Sequence, residues 1–475
     1  MITPTTSAPI RVERDAKFNR IYVLAIALTA ALGGLMFGYD WVVIGGAEIF
    51  YEKYLHLSSA LQIGWAMSSA LIGALSGATF AGGLSDKFGR KPLLLASGLL
   101  FVLTSIGTGL APNFAFFVIN RLLGGVAIGI ASSLSPLYIA EVAPASMRGR
   151  LVSLNQLTIA VGIMMAQIVN WTIARPMAPG TTVAQIPLDS WNVQVAWRWM
   201  FGVTALPAII FFAAMLLVPE SPRWMAKKGR SAKSLKVLER IGGAAYAKAS
   251  LKEIEATLTN ELDKVDFREL WTPKMLRILF LGVVLAVFQQ WCGINVIFQY
   301  GSRIFADAGY AVSGILFSIC VTGVVGVIMT FVAIGTVDRW GRRVLMLSGA
   351  LGLTLIYLAT GWAYYAHATG LLPVILVVAA IACYCYSLAP ITWVILSEIF
   401  PNRIRGAAMS VSVAALWLGN FLLSQTFPIM YAKLGLAPCF WVYAAICLCG
   451  FFFIFFRLPE TRGKTLEQIE LELVD

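Results

Sequence analysis

Two stretches decide the fold: Glu141-Val-Ala-Pro-Ala-Ser-Met-Arg-Gly149 and Glu398-Ile-Phe-Pro-Asn-Arg-Ile-Arg-Gly406. Their Glu, Pro, Arg and Gly residues coincide at identical spacing. Two more pairs follow the same pattern: Asp86-Lys-Phe-Gly-Arg-Lys91 with Asp338-Arg-Trp-Gly-Arg-Arg343, and Pro219-Glu-Ser with Pro459-Glu-Thr. The paired motifs lie about 240 to 257 residues apart and in the same order, which indicates a tandem duplication.

The repeated unit is strongly apolar. Hydrophobic residues make up 59% of the 475 residues, only 13% are charged, and the mean hydropathy is +0.79. Twelve runs reach the roughly 20 residues that a membrane-spanning helix needs, and they are continuously apolar rather than alternating as in a β-barrel. They cover approximately residues 21–46, 61–84, 92–111, 114–138, 151–174, 197–218, 277–302, 312–336, 344–367, 372–396, 406–431 and 437–457. We predict an all-α membrane protein with twelve transmembrane helices in two six-helix halves, related by a pseudo-two-fold axis.

The basic residues indicate topology rather than nucleic-acid binding, although the net charge is +12. Cations gather in alternate loops, for example Lys87 and Lys91 after the second run and Arg150 after the fourth. The positive-inside rule then places both termini in the cytoplasm, in a multi-pass protein of the inner (cytoplasmic) membrane. Residues 1–9 lack the pattern of a removable signal peptide. We expect the lipid bilayer as a partner, no nucleic acid, and a functional monomer.

A charged stretch divides the chain into three parts: a first half (1–218), a cytoplasmic linker (219–273) and a second half with a tail (274–475). Within the linker, residues 234–241 and 250–258 place Leu and Ile at helical spacing, which predicts short amphipathic helices. A substrate cavity is expected between the halves, with alternating access by rocking of one half against the other.

The charged residues of the motifs are candidates for a cytoplasmic gate that pairs when that side closes and breaks when it opens. The alternative is that the cations only set topology. The candidates are Asp86, Arg90, Glu141, Arg148, Glu220, Arg223, Asp338, Arg342, Arg343, Glu398, Arg405 and Glu460.

Enzyme chemistry is not indicated. No nucleophile and base pair, phosphate-binding glycine loop or metal cluster occurs at meaningful spacing, and the two histidines, His56 and His367, cannot build a metal site. We therefore predict no cofactor and no metal. The seven cysteines lie mostly within predicted spans, where packing is the simpler explanation than disulfides.

Five motifs also carry a family resemblance that covers essentially the whole chain. They are Gly82-Gly-Leu-Ser-Asp-Lys-Phe-Gly-Arg-Lys91, residues 338–343, Pro219-Glu-Ser-Pro-Arg223, Pro459-Glu-Thr-Arg-Gly463 and Gln289-Gln-Trp-Cys-Gly-Ile-Asn295. With these motifs the chain resembles the sugar porter family of the major facilitator superfamily. The resemblance implies a sugar as substrate and an inner gate formed by the cytoplasmic motifs.

A sugar site needs neutral amides that both donate and accept hydrogen bonds, and an aromatic face for the ring. The spans contain the amides Gln156, Gln289, Gln290, Asn295, Gln299 and Asn420, and the aromatic candidates Trp393 and Trp417. Bonding between helices is the alternative role for such amides. The resemblance assigns sugar contact to Gln156, Gln289, Gln290, Asn295 and Trp393. Gln299 departs from the family, which usually has the first tyrosine of a Tyr-Tyr pair there, so the particular sugar stays open.

Two intramembrane charges, Asp40 and Arg121, are candidates for proton coupling because such charges are expensive and usually functional. Moving Arg121 away would favour protonation of Asp40; a purely structural ion pair is the alternative. The resemblance implies symport, since proton-coupled bacterial sugar porters carry Asp at this position. We predict proton-coupled symport of a hexose or pentose, with an uncoupled facilitator, a polyol symporter or a non-transporting sensor as alternatives.

Overall fold

The apolar runs form twelve helices that are long and apolar enough to cross a membrane. A computed structural model describes residues 18–260, 272–400 and 405–462, without the side chains of residues 257–260, 338, 397, 405 and 406. The spans of the first half are α1 (Arg20–Tyr54), α2 (Ala60–Phe88), α3 (Arg90–Gly109), α4 (Phe114–Val142), α5 (Ala145–Ile173) and α6 (Asn192–Leu217). Two helices follow, α7 (Pro222–Lys227) and α8 (Ser231–Asn260). The spans of the second half are α9 (Pro273–Asp307), α10 (Val312–Trp340), α11 (Arg342–Tyr365), α12 (Leu371–Tyr386 and Leu388–Ile399), α13 (Arg405–Leu434) and α14 (Leu436–Arg457).

The prediction of twelve helical spans is therefore confirmed, and the described residues form no strand. Several helices outrun the apolar runs that predicted them. The apolar runs predict an end at residue 46 for the first helix and a range of 277–302 for the seventh, whereas α1 continues to Tyr54 and α9 covers Pro273–Asp307. Both extensions carry charged side chains, and these side chains pair with each other.

Between the halves, α8 contains both segments predicted to be amphipathic helices. It is interrupted at Gly243, whose φ of +83° is a left-handed conformation that favours glycine. Leu238 and Ile241 are buried in the core of the first half, and the backbone N–H of Asn19 donates to the carbonyl of Ile241. The linker helices thus pack against the first half.

The duplication is visible in two tight turns. Gly89 joins α2 to α3 with φ +111°, and Gly341 joins α10 to α11 with φ +90°. A Cβ at either glycine would lie within 2.6 Å of a carboxylate oxygen, from Glu220 in the first half and Glu460 in the second. Each motif glycine is therefore required both by its backbone conformation and by the acid that packs on it.

The two halves meet along α1 with α9, α2 with α13, and α5 with α10. Glycine permits close approach at two of these contacts. A Cβ on Gly45 of α1 would lie 2.6 Å from the Phe298 carbonyl oxygen of α9, and one on Gly323 of α10 would lie 3.0 Å from Cα of Met164 on α5. We call the end of the bundle that carries the repeated motifs the motif end, and the opposite end the far end.

Candidate functional site

An ion pair lies in the middle of the first half. Nη1 of Arg121 on α4 is 2.6 Å from Oδ1 of Asp40 on α1, and both side chains are more than nine-tenths buried. The guanidinium also lies 5.5 Å from the centre of the Phe201 ring of α6. Its Nε is buried and has no hydrogen-bond partner within the described ranges. The pair expected from the sequence is thus formed, and the Nε–H group of Arg121 remains available as a hydrogen-bond donor.

A small cavity borders this ion pair. Its wall includes Asp40, Arg121 and Trp41 from the first half, and Gln299 and Trp417 from the second. Its volume is about 20 Å³, which is enough for a water molecule and too small for a monosaccharide. The two candidate functions, proton coupling and substrate binding, therefore adjoin across the boundary between the halves.

Aromatic side chains cover one side of the cavity. The ring centres of Trp41 and Trp417 are 5.9 Å apart, and Phe37 lies 5.7 Å from Trp417, all in edge-to-face arrangements. Phe37 and Trp41 belong to α1, whereas Trp417 belongs to α13. This cluster joins the halves beside the Asp40 carboxylate, and Trp417 is one of the two aromatic candidates from sequence.

A break in α9 gathers three of the predicted amides. The helix is interrupted at Gly293, which has φ +87°. Asn295 Nδ2 donates to Gln290 Oε1 at 2.6 Å, and Gln290 Nε2 donates to Gln289 Oε1 at 2.6 Å. All three side chains are at least 95% buried, and Gln289 Nε2 lies 3.5 Å from the Ala389 carbonyl oxygen on α12. The break converts sequence neighbours into one chain of hydrogen bonds.

A second polar group connects α9 with α13. The Ser424 hydroxyl contacts Oε1 of Gln299 and Oδ1 of Asn420, and the Tyr300 hydroxyl donates to the Ser424 carbonyl at 2.7 Å. Nδ2 of Asn420 is buried, with no hydrogen-bond partner among the described residues. A buried donor without a partner is costly, so this amide is suited to a ligand hydroxyl.

Two sequence candidates belong neither to the cavity wall nor to the polar groups of α9 and α13. Gln156 is half-buried on α5, and Trp393 is half-buried on α12, one turn beyond Ala389. Gln156 follows the buried Asn155, which lies close to Gly34 of α1. The structure thus brings together Asp40, Arg121, Gln299 and Trp417, and separately the amides of the α9 break.

None of the described ion pairs at the motif end joins the first half to the second. Arg90 donates to both carboxylate oxygens of Glu141 at 2.9 and 3.0 Å, and to Asp86 at 2.9 Å. In the second half, Arg342 lies 3.3 Å from Glu398, whose other oxygen accepts from the Thr461 hydroxyl at 2.6 Å. The repeated motifs therefore form equivalent clusters in the two halves.

The acids of the proline motifs lie at the starts of helices. Glu220 accepts from the backbone N–H groups of Arg90 and Lys91 at 3.2 Å, and Glu460 accepts from those of Arg342 and Arg343 at 2.9 and 3.1 Å. A carboxylate is favourable there because the first N–H groups of a helix lack intrahelical partners. Burial raises the pKa of Glu220, and these hydrogen bonds oppose the rise.

The remaining gate candidates are Arg148, Arg223, Asp338 and Arg405. Arg148 is exposed on α5, and Arg223 is half-buried on α7. The side chains of Asp338 and Arg405 lie outside the described part of the chain. A gate that pairs one half with the other stays a prediction.

The far end holds a charged cluster that the sequence pattern does not predict. Arg303 of α9 binds Glu48 and Glu52 of α1, and Ser302 donates to the Gly45 carbonyl at 2.6 Å. The available signal was a pair of acids one helical turn apart next to the first apolar run, with an arginine near the end of the seventh. The partners are far apart in the sequence, so the pattern alone did not connect them.

Together, the duplicated six-helix bundles and the buried charges beside the cavity between them define a membrane carrier. The family model described as "Sugar (and other) transporter" matches residues 26–473. The arabinose-proton symporter of Bacillus subtilis is 38% identical over 470 residues, covering 98% of each chain. The chain belongs to the sugar transporter family of the major facilitator superfamily.

Solved structures agree with this assignment. The inward open xylose transporter XylE of E. coli matches with a TM-score of 0.82 and 34% identity, over 95% of this chain and all of that chain. The proton:xylose symporter XylE bound to 6-bromo-6-deoxy-D-glucose matches with a TM-score of 0.78 and 34% identity, over 96% of this chain and all of that chain. The predictions of the family and of the fold are confirmed.

Proposed function

We propose that this protein is a proton-coupled symporter of a monosaccharide, a hexose or a pentose, working by alternating access. The observation that carries the proposal is the shared cavity: Asp40 and Arg121 form one part of its wall, and Gln299 and Trp417 form another. A proton site next to a sugar site allows the occupancy of one to bias the other. Relatives named as sugar-proton symporters support the same assignment.

In this proposal Asp40 carries the coupled proton. An ionised Asp40 holds Arg121 through their 2.6 Å contact, which ties α1 to α4. Protonation of the carboxylate removes its charge, so the guanidinium loses its ionic partner and the contact weakens. Because α1 also contacts the second half through Phe37 and Trp41, a change at Asp40 reaches the interface between the halves.

The sugar would occupy the space between the halves, next to the α9 break. Gln289, Gln290 and Asn295 supply amides there, Gln299 and Asn420 add groups from α9 and α13, and Trp417 offers a ring face. Gln156 and Trp393 belong to this proposed site as well, on opposite sides of the interface. Rearrangement of the halves would open the 20 Å³ cavity to sugar size.

The structure corresponds, in our proposal, to an inward-facing state. The described contacts between the halves gather at the far end and the centre, such as Ser68 with Gln425 at 2.9 Å and Gln167 with Thr322 at 3.3 Å. The motif end would then face the cytoplasm, with both termini inside and residues 1–218 and 274–475 as the moving halves. The residues of the motif clusters would form the inner gate in the opposite state. We propose a functional monomer in the inner membrane.

Transport in proteoliposomes tests the function. Wild type and Asp40→Asn are supplied with labelled pentoses, hexoses and a polyol, with and without an inward proton gradient. The matched control is Asp189→Asn, an exposed acid in the loop before α6. We expect accumulation to collapse in Asp40→Asn only, while sugar exchange without a gradient survives. Equal accumulation in all three proteins would reject Asp40 as the coupling group, and uptake that ignores the gradient would indicate a facilitator.

Labelling of cysteines tests the orientation. In a background without native cysteines, Gly149→Cys at the motif end and Asp189→Cys at the far end are exposed to a membrane-impermeant maleimide in intact cells. We expect labelling of the residue 189 variant alone. Labelling of the residue 149 variant alone would reverse the proposed topology.

A further inference from the structure

The charged cluster at the far end joins the two halves. Nε of Arg303 donates to Oε1 of Glu48, and Nη2 donates to both carboxylate oxygens of Glu52, the second at 2.7 Å. Glu48 and Glu52 lie one turn apart on α1, whereas Arg303 lies on α9. The cluster can therefore exist in this form only while α1 and α9 are in contact.

The burial of this cluster is uneven. The Glu48 side chain is fully buried, whereas Glu52 and Arg303 retain 17% and 20% exposure. Oε2 of Glu48 is buried and has no hydrogen-bond donor among the described residues. The carboxylates of Glu48 and Glu52 bind the same guanidinium, through its Nε and its Nη2. An enclosed carboxylate oxygen beside a second carboxylate is the arrangement that a shared proton stabilises.

Among the residues that the structure describes, no second cation faces the cluster. Lys53 is directed away, with Nζ donating to the carbonyls of Ala184 and Ile186 at 3.1 Å. The other titratable groups facing the cluster are Tyr51, Tyr300, Tyr431 and Asp307. Tyr300 donates to a carbonyl and Tyr431 donates to Asp307, which is itself an acid. With both glutamates ionised, the cluster would enclose an excess negative charge, which is unfavourable in a low dielectric.

We propose that Glu48 is a second proton site, which binds a proton when the far end closes and releases it when α1 and α9 separate. The protonated Glu48 would donate through Oε2 to Glu52 and accept from Arg303 through Oε1. In the open state both acids face water without Arg303 and ionise. Closing of the far end thus takes up one proton from the outer side, and opening returns it to the same side. The cluster therefore acts as a pH-dependent gate and carries no proton across the membrane. This inference rests on the proposed alternation of access and is independent of Asp40.

The test measures closure of the far end directly. Spin labels at Ser58→Cys and Thr369→Cys, exposed positions in far-end loops of opposite halves, report the distance by double electron–electron resonance. The protein is held in nanodiscs, with the exposed Cys449 replaced by serine. All variants also carry Asp40→Asn, so titration at the proposed coupling site does not contribute. A pH series in sodium and in potassium buffers separates a proton from a bound metal cation.

We expect the closed population to grow as the pH falls, with the closed-to-open ratio changing by up to about tenfold per pH unit for one proton. Glu48→Gln imitates the protonated acid, so it should stay closed at every pH. Glu52→Gln also removes the excess charge and should give the same loss of pH dependence. It serves as the test if Glu48→Gln fails to fold. An ionic latch with both acids ionised predicts the opposite: Glu48→Gln would open the far end. That result would overturn the proposal. So would a pH response that persists in both variants, or control of closure by sodium instead of pH.

Discussion

Arg121 contacts Asp40 through a single nitrogen, Nη1, at 2.6 Å, while its buried Nε has no hydrogen-bond partner among the described residues. The pair is therefore not the two-bond fork that Arg90 makes with Glu141 at the motif end. A single-bond pair is more easily separated than a forked one, because only one charge-assisted hydrogen bond is lost. In our proposal, this geometry suits Arg121 to a pair that breaks during transport.

The first prediction concerns Arg121. Arg121→Ala leaves Asp40 buried without a cation, which should lower stability by about 3 to 5 kcal/mol and favour a protonated Asp40. Gradient-driven accumulation should be lost, and exchange should be retained in molecules that fold. Thermal unfolding in detergent and counterflow in liposomes measure the two effects. Arg121→Lys keeps the charge and should recover part of the accumulation. If the lysine and alanine variants behave alike, charge is not what the position supplies.

The second prediction concerns the break in α9. Gly293 has φ +87°, and a Cβ there would lie 2.7 Å from Cγ of Tyr443. Gly293→Ala should strain the break, displace the bonded amides Gln290 and Asn295, and weaken sugar binding at least tenfold. The matched control is Gly309→Ala, which has a similar φ of +82° but would meet only Cγ2 of Thr369 at 3.7 Å.

Binding of labelled sugar and thermal unfolding distinguish the two glycines. Both variants share the backbone penalty of about 1 to 3 kcal/mol for a left-handed residue with a side chain. Only Gly293→Ala should lose affinity beyond its loss of stability. Equal affinities in the two variants would separate the break from substrate binding.

The third prediction tests the amides themselves. Asn295→Ala removes the donor to Gln290 and one proposed sugar contact, and we expect an affinity loss of about 10- to 100-fold, equivalent to about 1 to 3 kcal/mol. Gln194→Ala is the control, because Gln194 is an exposed amide whose hydrogen bond to the Leu188 carbonyl is remote from the site. Unchanged affinity for every sugar in Asn295→Ala would assign the amide to helix packing.

These predictions differ in how far the sequence alone supports them. Twelve spans and the duplication could be predicted, because apolar length and the repeated motifs are local properties of the chain. The contact between Asp40 and Arg121 could be proposed, because intramembrane charges are rare and need partners. The cluster of Glu48, Glu52 and Arg303 could not, since it depends on how two distant helices rotate and pack.

The limits of a residue pattern also appear within single helices. The motif Gln289-Gln-Trp-Cys-Gly-Ile-Asn295 marks a polar segment, but the left-handed Gly293 that brings its ends together is a tertiary feature. A glycine in the sequence does not by itself predict a helix break, because most glycines in these spans allow close helix packing, as Gly45 and Gly323 do. The arginines of the motifs likewise indicate where positive charge lies but not which acid each one binds. Their pairing within the halves therefore could not be predicted from the sequence.

The fourth prediction concerns the acids at the helix starts. Glu220→Ala should leave the N–H groups of Arg90 and Lys91 without their acceptor and lower stability by about 1 to 3 kcal/mol. Glu220→Gln should cost less stability, because it keeps an acceptor oxygen. Burial also raises the pKa of the Glu220 carboxyl, so replacing it with a neutral amide is a smaller change. Thermal unfolding compares the variants. Glu460→Ala should reproduce the loss in the second half, and an effect in one half only would show that the duplication is not equivalent in energy.

The fifth prediction concerns selectivity at Gln299, whose Oε1 contacts Ser424 and whose side chain lines the cavity beside Asp40. Gln299→Tyr removes an amide that can both donate and accept and supplies a hydroxyl at a different reach, so the preference among sugars should change. We expect the ratio of inhibition constants between the best pentose and the best hexose to move by about fivefold or more, the size of one altered hydrogen bond. Competition against one labelled sugar measures this ratio.

Coupling should persist in Gln299→Tyr, because the Asp40–Arg121 contact does not involve Gln299, so a proton gradient should still drive accumulation. If accumulation is lost while the ratio stays constant, Gln299 acts on the proton pair and not on the sugar.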